Sequence, residues 1–515
     1  MKRILALIFS ARFLVGLAFL FWVYTIVNPY ALEPQNPSVT RMAGIAVLMA
    51  VLWMTEKIPL AVTALIPVAL YPFLGIMNGK KVASVYFNHL IFLFIGGFLI
   101  ALAMEKWNLH KRIAVNILLL IGSAPHKILF GVMLVTAFLS MWISNTATTM
   151  MMVPIVLSLS AQWDKEETSG ITKALLLGTA YAASIGGVAT LIGTPPNLFF
   201  ARIYKIYFPQ APDIDFAKWF SFAFPLSIFL LAAAYLYLRW FFLHKPEVSI
   251  KRNQGEKQVL LEEKKQLGPM QYEEFIITIL FVFLALLWLT RRGLKIGNWH
   301  FQGWSGWFPH PEWITDGNIA MFIGVLLFAI PSKNKNHGKF IMDWHTASRI
   351  PWNIILLFGG GFALAEGFKE SGLTNYIGNQ LAGLGSLSPF FILLIVIASL
   401  TFLTELTSNT ATVETLLPIL ASMAVFIRLN PLFLMIPATV AASFAFMLPI
   451  ATPPNAIVFA SEKIKIKDMM KAGLAMNIIG ILILTVTAYV LMDRIFNIDP
   501  HVLPSWAKII QSKMP

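Results

Sequence analysis

Residues 140–154 read Ser-Met-Trp-Ile-Ser-Asn-Thr-Ala-Thr-Thr-Met-Met-Met-Val-Pro, and residues 404–418 read Thr-Glu-Leu-Thr-Ser-Asn-Thr-Ala-Thr-Val-Glu-Thr-Leu-Leu-Pro. The pentapeptide Ser-Asn-Thr-Ala-Thr thus occurs twice, at 144–148 and 408–412, 264 residues apart. Its first copy lies inside 128–163, a run without Asp, Glu, Lys, Arg or His. A membrane-crossing helix needs about 20 apolar residues. The run is too long for one crossing and too short for two with a loop, and Pro154 interrupts it. A re-entrant hairpin is the economical reading, with a second over 388–427. A polar tip at membrane depth is tolerated only where it is buried in protein or lines a wet cavity.

The repeat extends outward from the tips. Phe94-Ile-Gly-Gly-Phe98 matches Phe358-Gly-Gly-Gly-Phe362, and Leu109, Pro125, Ser140 and Pro154 match Leu373, Pro389, Thr404 and Pro418, all at the offset of 264. Thr194-Pro195-Pro196-Asn197 matches Thr452-Pro453-Pro454-Asn455 at an offset of 258. The repeat also reads as inverted. Lys106, Lys111, Arg112 and Lys127 precede the first hairpin, whereas 370–391, ahead of the second, holds no Lys or Arg. Basic residues favour the cytoplasmic side, so the first segment reads as cytoplasmic and the second as exterior. Lys333, Lys335, Lys339 and Arg349, and Lys463, Lys465, Lys467 and Lys471, then fall inside; Lys80, Lys81, Arg291 and Arg292 are exceptions outside. Spans are expected near 11–29, 40–56, 58–77, 86–104, 173–202, 216–243, 273–290, 317–331, 351–367, 433–461 and 472–493. Eleven spans and two hairpins put the N-terminus in the cytoplasm and the C-terminus outside. Cysteines introduced at Gln254 and Lys335 should be shielded from outside, and one at Gly303 labelled.

Composition excludes most other classes. Of 515 residues, 57% are hydrophobic and 12% charged, and the mean hydropathy is +0.72. A soluble domain carries about a quarter charged residues, so the chain reads as an all-α, polytopic membrane protein. The net charge of +14 belongs to cytoplasmic loops rather than to nucleic acid, for which no binding signature is present. The absence of cysteine excludes disulfides, thiolate metal centres and a cysteine nucleophile. No Asn-x-Ser/Thr sequon with x other than Pro occurs, which favours a bacterial plasma membrane. Met1-Lys2-Arg3 and the apolar run to Val27 lack a clear small-residue cleavage site and read as a retained first span. An enzyme finds no support: there is no His-Glu-x-x-His or Gly-x-Ser-x-Gly, and none of the nine histidines lies at a tip.

Interrupted helices at matching positions of inverted repeats point to a secondary-transporter site near the midplane. Each Pro-Pro pair removes backbone donors and prevents a continuous helix. The carbonyls left free, with nearby hydroxyls, are the ligands a hard cation such as Na⁺ requires. The tip Ser, Asn and Thr add hydroxyl and amide donors, and the helix that starts there aims its positive end at an anion. A lone Ser-Asn-Thr would be read as a helix cap. Two related copies, each with a Pro-Pro break, make the cap reading inadequate. Glu405 and Glu414 stand opposite Met141 and Met150 in the repeat, and intramembrane carboxylates are functional suspects.

Taken together, Ser-Asn-Thr twice, each followed by Pro-Pro-Asn, and the stretch from Met54 to Pro67 resemble the divalent anion/sodium symporter family over nearly the whole chain. That family carries di- and tricarboxylates. The resemblance implies a homodimer with a fixed scaffold and a transport domain that moves as an elevator. It implies a first cation site of Ser140, Ser144, Asn145 and Gly193, and a second of Thr404, Ser408, Asn409 and Ala451. It places substrate at Asn145, Thr146, Asn409, Thr410, Thr452 and Pro453. The division that follows is 1–85 scaffold, 86–243 first repeat, 244–274 a solvated cytoplasmic linker, 275–350 scaffold, 351–497 second repeat and 498–515 tail. The expected function is Na⁺-coupled uptake of a C4 dicarboxylate such as succinate, malate or fumarate. No Lys or Arg lies in either tip, so bound Na⁺ would supply the positive charge. A sodium-independent exchanger, or a citrate or sulfate carrier of the same fold, is the alternative; a passive anion channel is a third.

Overall fold

Proline and asparagine set where many of the helices begin. Pro37, Pro125, Pro195, Pro389, Pro431 and Pro453 occupy first turns, where a missing N–H costs nothing. Asn36, Asn78, Asn88 and Asn430 accept hydrogen bonds from first-turn amides. The structure, a computed structural model, describes residues 11–122, 124–161, 170–243, 255–296, 299–334, 338–381, 387–496, 498–500 and 502–507.

The first half runs α1 (Ala11–Val27), α2 (Pro37–Thr55), α3 (Leu60–Thr63), α4 (Ile66–Leu70), α5 (Gly79–Tyr86), α6 (His89–Lys106), α7 (Leu109–Ile121), α8 (Pro125–Ser140), α9 (Asn145–Ser160), α10 (Gly170–Val188), α11 (Pro195–Tyr207) and α12 (Phe216–Leu243). Helix α13 (Gly255–Leu267) leads into the second half. It comprises α14 (Tyr272–Thr290), α15 (Asp316–Ala329), α16 (Trp344–Ala347), α17 (Trp352–Ser371), α18 (Leu373–Leu381), α19 (Pro389–Thr404), α20 (Asn409–Phe426), α21 (Pro431–Ala441), α22 (Pro453–Phe459) and α23 (Ile466–Phe496). Among the described residues the fold is helical apart from one short antiparallel hairpin, Gly293–Ile296 with Trp299–Gln302. Seven helical stretches among the described residues are long and apolar enough to cross a membrane.

The structure departs from the expected spans where backbone donors fail. Residues 173–202 and 433–461, each read as one span, are broken between α10 and α11 and between α21 and α22. Residues 58–77 form two short helices, α3 and α4. Helices α7 and α18 are missing from the list of spans because their sequences are too short and too polar to suggest one.

Helix α10 sits at the centre and is buried almost throughout. It packs on α8, α9, α12 and α22. The ion pairs that join distant segments respect the sorting of the charges into two sides. Lys106 meets Asp343 at 2.6 Å and Lys173 meets Asp468 at 2.6 Å, all on segments assigned inside. Lys81 meets Glu370 at 2.7 Å, and Arg292 pairs with Asp215 at 3.3 Å, on segments assigned outside.

The stretch 244–274, expected to be a solvated connector, is largely exposed along α13 and anchored at its end; residues 244–254 lie outside the described residues. Arg112 on α7 binds Glu274 at 2.7 Å and donates to the carbonyls of Leu267, Gly268 and Pro269. Glu273 accepts from the Ser332 hydroxyl and from the amides of Lys333 and Asn334. Both carboxylates are buried, and burial is possible because each is fully bonded.

Candidate functional site

Helices α8 and α9 form one hairpin, and α19 and α20 form the other. At each turn the chain leaves the outer arm, crosses four residues, and restarts as a helix at Asn145 or Asn409. Ser144 caps α9 by accepting from the Ala147 amide at 3.2 Å. Ser408 is the corresponding cap of α20, with no side-chain cap bond.

The two tips share one geometry. Ser140 Oγ lies 2.6 Å from Asn145 Oδ1 and 2.7 Å from the Ala183 carbonyl. Thr404 Oγ1 lies 2.7 Å from Asn409 Oδ1 and 2.8 Å from the Ala442 carbonyl. Each cluster therefore holds three oxygens and one hydroxyl proton, which can satisfy only one acceptor. Such a surplus of lone pairs suits a hard cation. Ser140 and Thr404 are fully buried, whereas Asn145 and Asn409 are partly accessible.

The breaks bring further residues to the tips. A side chain on Gly187 would put its Cβ 2.5 Å from Asn145 Oδ1, and one on Gly193 would meet the Gly187 carbonyl at 2.5 Å. Gly193 thus approaches the first cluster through Gly187, and both positions need the small residue. Ala451 lies in the second break, its amide donating to the Leu448 carbonyl; no described bond ties it to Asn409. Thr452 caps α22 by accepting from the Asn455 amide, and Pro453 is its first residue. Helix α9 packs against α22, and α11 packs against α20. Each hairpin therefore meets the break of the other repeat. That crossing sets the helix that begins with Asn145 and Thr146 against the helix that Thr452 and Pro453 open, and the helix that begins with Asn409 and Thr410 against the one that follows Thr194.

Several residues that shape the site were not singled out from the sequence. The Ala183 and Ala442 carbonyls carry no side-chain signature. Asn197 and Asn455 were visible, as the last residue of each Thr-Pro-Pro-Asn motif. The Asn197 amide donates to the carbonyls of Gly187, Val188 and Thr190, and that of Asn455 to Ala445 and Leu448. They hold the unwound backbone in place. The Thr190 hydroxyl ties the first break to the Met141 carbonyl at 2.6 Å. In the second repeat Glu405, the counterpart of Met141, does this with its side chain. Its carboxylate accepts from the amides of Phe446, Met447 and Leu448 and from Asn477. Four donors account for Glu405 as an anchor of the break.

The repeats are alike in the tips but not in how the inner helices pack. In the first, α7 lies against the outer arm α8; in the second, α18 lies against the inner helix α20, which also packs on α17. Met150, Pro154 and Ser158 on α9 are exposed, while their counterparts Glu414, Pro418 and Ser422 on α20 are buried. The open face of α9 lines a cavity of about 360 Å³, walled on the other side by Glu105, Asn108, His110 and Lys111. This face of α9 is thus open, whereas the matching face of α20 is buried.

The family model of the sodium:sulfate symporter transmembrane region matches residues 9–495. The sodium-dependent dicarboxylate transporter SdcS of Staphylococcus saprophyticus is 41% identical over 478 residues, which are 91% of this chain and 89% of that protein. The protein of the same name from Staphylococcus aureus is 41% identical over 504 residues, 95% and 93% of the two chains. Among solved structures, the YdaH transporter of Alcanivorax borkumensis aligns with a TM-score of 0.54 at 11% identity, covering 81% of this chain and 89% of that one. MtrF of Neisseria gonorrhoeae aligns at 0.55 and 13%, covering 88% and 94%. At such identities these two structures speak to the fold alone.

Proposed function

The chain belongs to the sodium:sulfate symporter transmembrane family, and on that premise we propose that it takes C4 dicarboxylates into a bacterial cell together with Na⁺. The observation that carries this reading is the pair of tip clusters, each with three oxygens around one proton. Na⁺ held there, at Ser140, Asn145 and the Ala183 carbonyl and at Thr404, Asn409 and the Ala442 carbonyl, supplies positive charge that the tips lack. The amide groups of Asn145 and Asn409 then donate to the two ends of a dicarboxylate, with Thr146, Thr410 and Thr452 beside them. Helices α9 and α20 start at the tips, so their positive ends add to the attraction.

The unequal packing of α9 and α20 supports alternating access. The hairpins and breaks move as one body against the remaining helices, so that the face open at α9 closes and the face closed at α20 opens. The moving body is an elevator, carried in a homodimer in the inner membrane, with the N-terminus in the cytoplasm and the C-terminus outside. In this arrangement the cavity at Met150 faces the cytoplasm, the side assigned to Lys106, Lys111 and Arg112.

Uptake of labelled succinate into proteoliposomes, with and without an inward Na⁺ gradient, tests the reading. Accumulation only with the gradient supports it. Equal transport in Na⁺-free buffer, driven by internal dicarboxylate, would make the protein an exchanger.

A further inference from the structure

Glu414 is unlike every other intramembrane acid of this chain described above. It is fully buried, and neither carboxyl oxygen has a hydrogen-bond partner among the described residues. It is seated on Gly361 of α17, where an added Cβ would lie 2.7 Å from its side chain and from the Phe199 ring. Tyr86 on α5 is the titratable group within its electrostatic reach, and that hydroxyl is donated to the Ala64 carbonyl. The helices packed on α20 carry Arg41 on α2, Arg202, Tyr204, Lys205 and Tyr207 on α11, Glu366, Lys369 and Glu370 on α17 and Tyr376 on α18. None of their described hydrogen bonds or ion pairs ends on Glu414. Arg41 is bound to the Leu74 carbonyl, Lys205 to Asp213 and Lys369 to the Ile206 carbonyl. An ionised carboxylate here would stand bare in an apolar helix interface, without the water or partners that a charge requires. The packing admits the acid only in its neutral form.

The repeat tells what happens to this position in the other state. Its counterpart, Met150, is 56% exposed and lines the open cavity. If the two repeats exchange their packing, residue 414 takes the place that residue 150 has here, and faces water. We propose that Glu414 is a proton-binding site of this carrier, wetted only when the hairpin of the second repeat opens, so that proton binding from that side favours the arrangement seen here. The proton leaves for water when the α20 face opens and returns from the same side before it closes. It is therefore an effector from the exterior and not a transported ion. The inference rests on the alternating-access reading above.

A single cysteine can report the two states, because the chain has none. Met150→Cys is alkylated when its face is open and protected when that face is buried. Its alkylation rate is measured on purified protein between pH 6 and pH 8.5, without dicarboxylate, in the Glu414 and the Glu414→Gln backgrounds. The ratio of the two rates cancels the ionisation of the thiol itself. One proton linked to the conformational change shifts the equilibrium by up to about tenfold per pH unit. The ratio of the Glu414 to the Glu414→Gln rate should therefore fall as pH rises. A ratio constant over the range overturns the proposal. Glu414→Met, which copies the first repeat, serves as the neutral background if the glutamine variant does not fold. Succinate-dependent thermal stabilisation in Na⁺, measured on the same samples, reads the proposed function separately. Stabilisation retained with a flat ratio sinks only the proton site; stabilisation lost from the Glu414 protein sinks the carrier reading itself.

Discussion

The Ser140 hydroxyl and the Asn145 side-chain oxygen stand 2.6 Å apart at the first hairpin tip, and the contact recurs between Thr404 and Asn409 at 2.7 Å. A hydroxyl in this position orients the asparagine: its oxygen is turned to the buried cluster and its NH₂ is left for a ligand. On the proposed function the same side chain serves a cation on one side and an anion on the other. That is a physical basis for coupling, because each ion makes the other less costly to hold.

Removing the hydroxyl should weaken the cation and spare the fold. Ser140→Ala and Thr404→Val each lose one oxygen and its hydrogen bond, worth about 0.5–1.5 kcal/mol, or roughly 2- to 12-fold in affinity. Na⁺ titrations of succinate uptake should shift to higher concentration by that factor in both variants, with Li⁺ a poor substitute throughout. An unchanged Na⁺ dependence in both would remove these clusters from the coupling.

The two break asparagines make the opposite prediction. Asn197 and Asn455 spend their amide hydrogens on the carbonyls of the unwound segments. Asn197→Leu and Asn455→Leu leave those buried carbonyls unpaired, at about 1–3 kcal/mol each. Both should lower the thermal unfolding temperature of the ligand-free protein. If neither does, the amides do not hold the breaks.

Much of this arrangement is legible in the sequence, for reasons that can be named. The repeated Ser-Asn-Thr and Pro-Pro-Asn motifs stand out because prolines and polar side chains are costly in apolar segments and are kept there for a purpose. The missed parts carry no such mark. The Ala183 and Ala442 carbonyls are backbone, which any residue provides. The anchoring role of Glu405 depends on three consecutive amides 41 to 43 residues away, which no local pattern reveals. The different packing of α9 and α20 is invisible in the motifs, since both helices open with the same Ser-Asn-Thr-Ala-Thr and carry a proline at the matching position. The linker shows a further limit: Lys257, Glu262, Lys264 and Lys265 are exposed as their charge suggests, yet Glu273 and Glu274 at its end are buried, because Ser332 and Arg112 meet them.

Topology can be tested on described positions. Gln254 and Lys335 lie outside the described residues, and a side chain at Gly303 would collide with the Arg291 carbonyl at 2.2 Å. Trp307, 79% exposed beyond α14, and Lys339, exposed after α15, are better sites. Trp307→Cys should react with an impermeant thiol reagent in intact cells, and Lys339→Cys should not. Labelling of Lys339→Cys from outside would reverse the orientation.

The tips themselves are tested most directly by replacing their asparagines. Asn145→Asp and Asn409→Asp keep the shape of the side chain and place a negative charge where a carboxylate is to bind, in a protein interior that strengthens the repulsion. Asn145→Ala and Asn409→Ala leave partner groups unpaired, at about 1–3 kcal/mol or roughly 5- to 150-fold in affinity. The measurement is the succinate-dependent rise in unfolding temperature of purified protein in saturating Na⁺. The account predicts no rise in either Asp variant and a rise only at higher succinate in the Ala variants, with the ligand-free unfolding temperature little changed. A wild-type rise in both Asn145→Asp and Asn409→Asp would contradict it, because the substrate would then bind elsewhere than at the two hairpin tips.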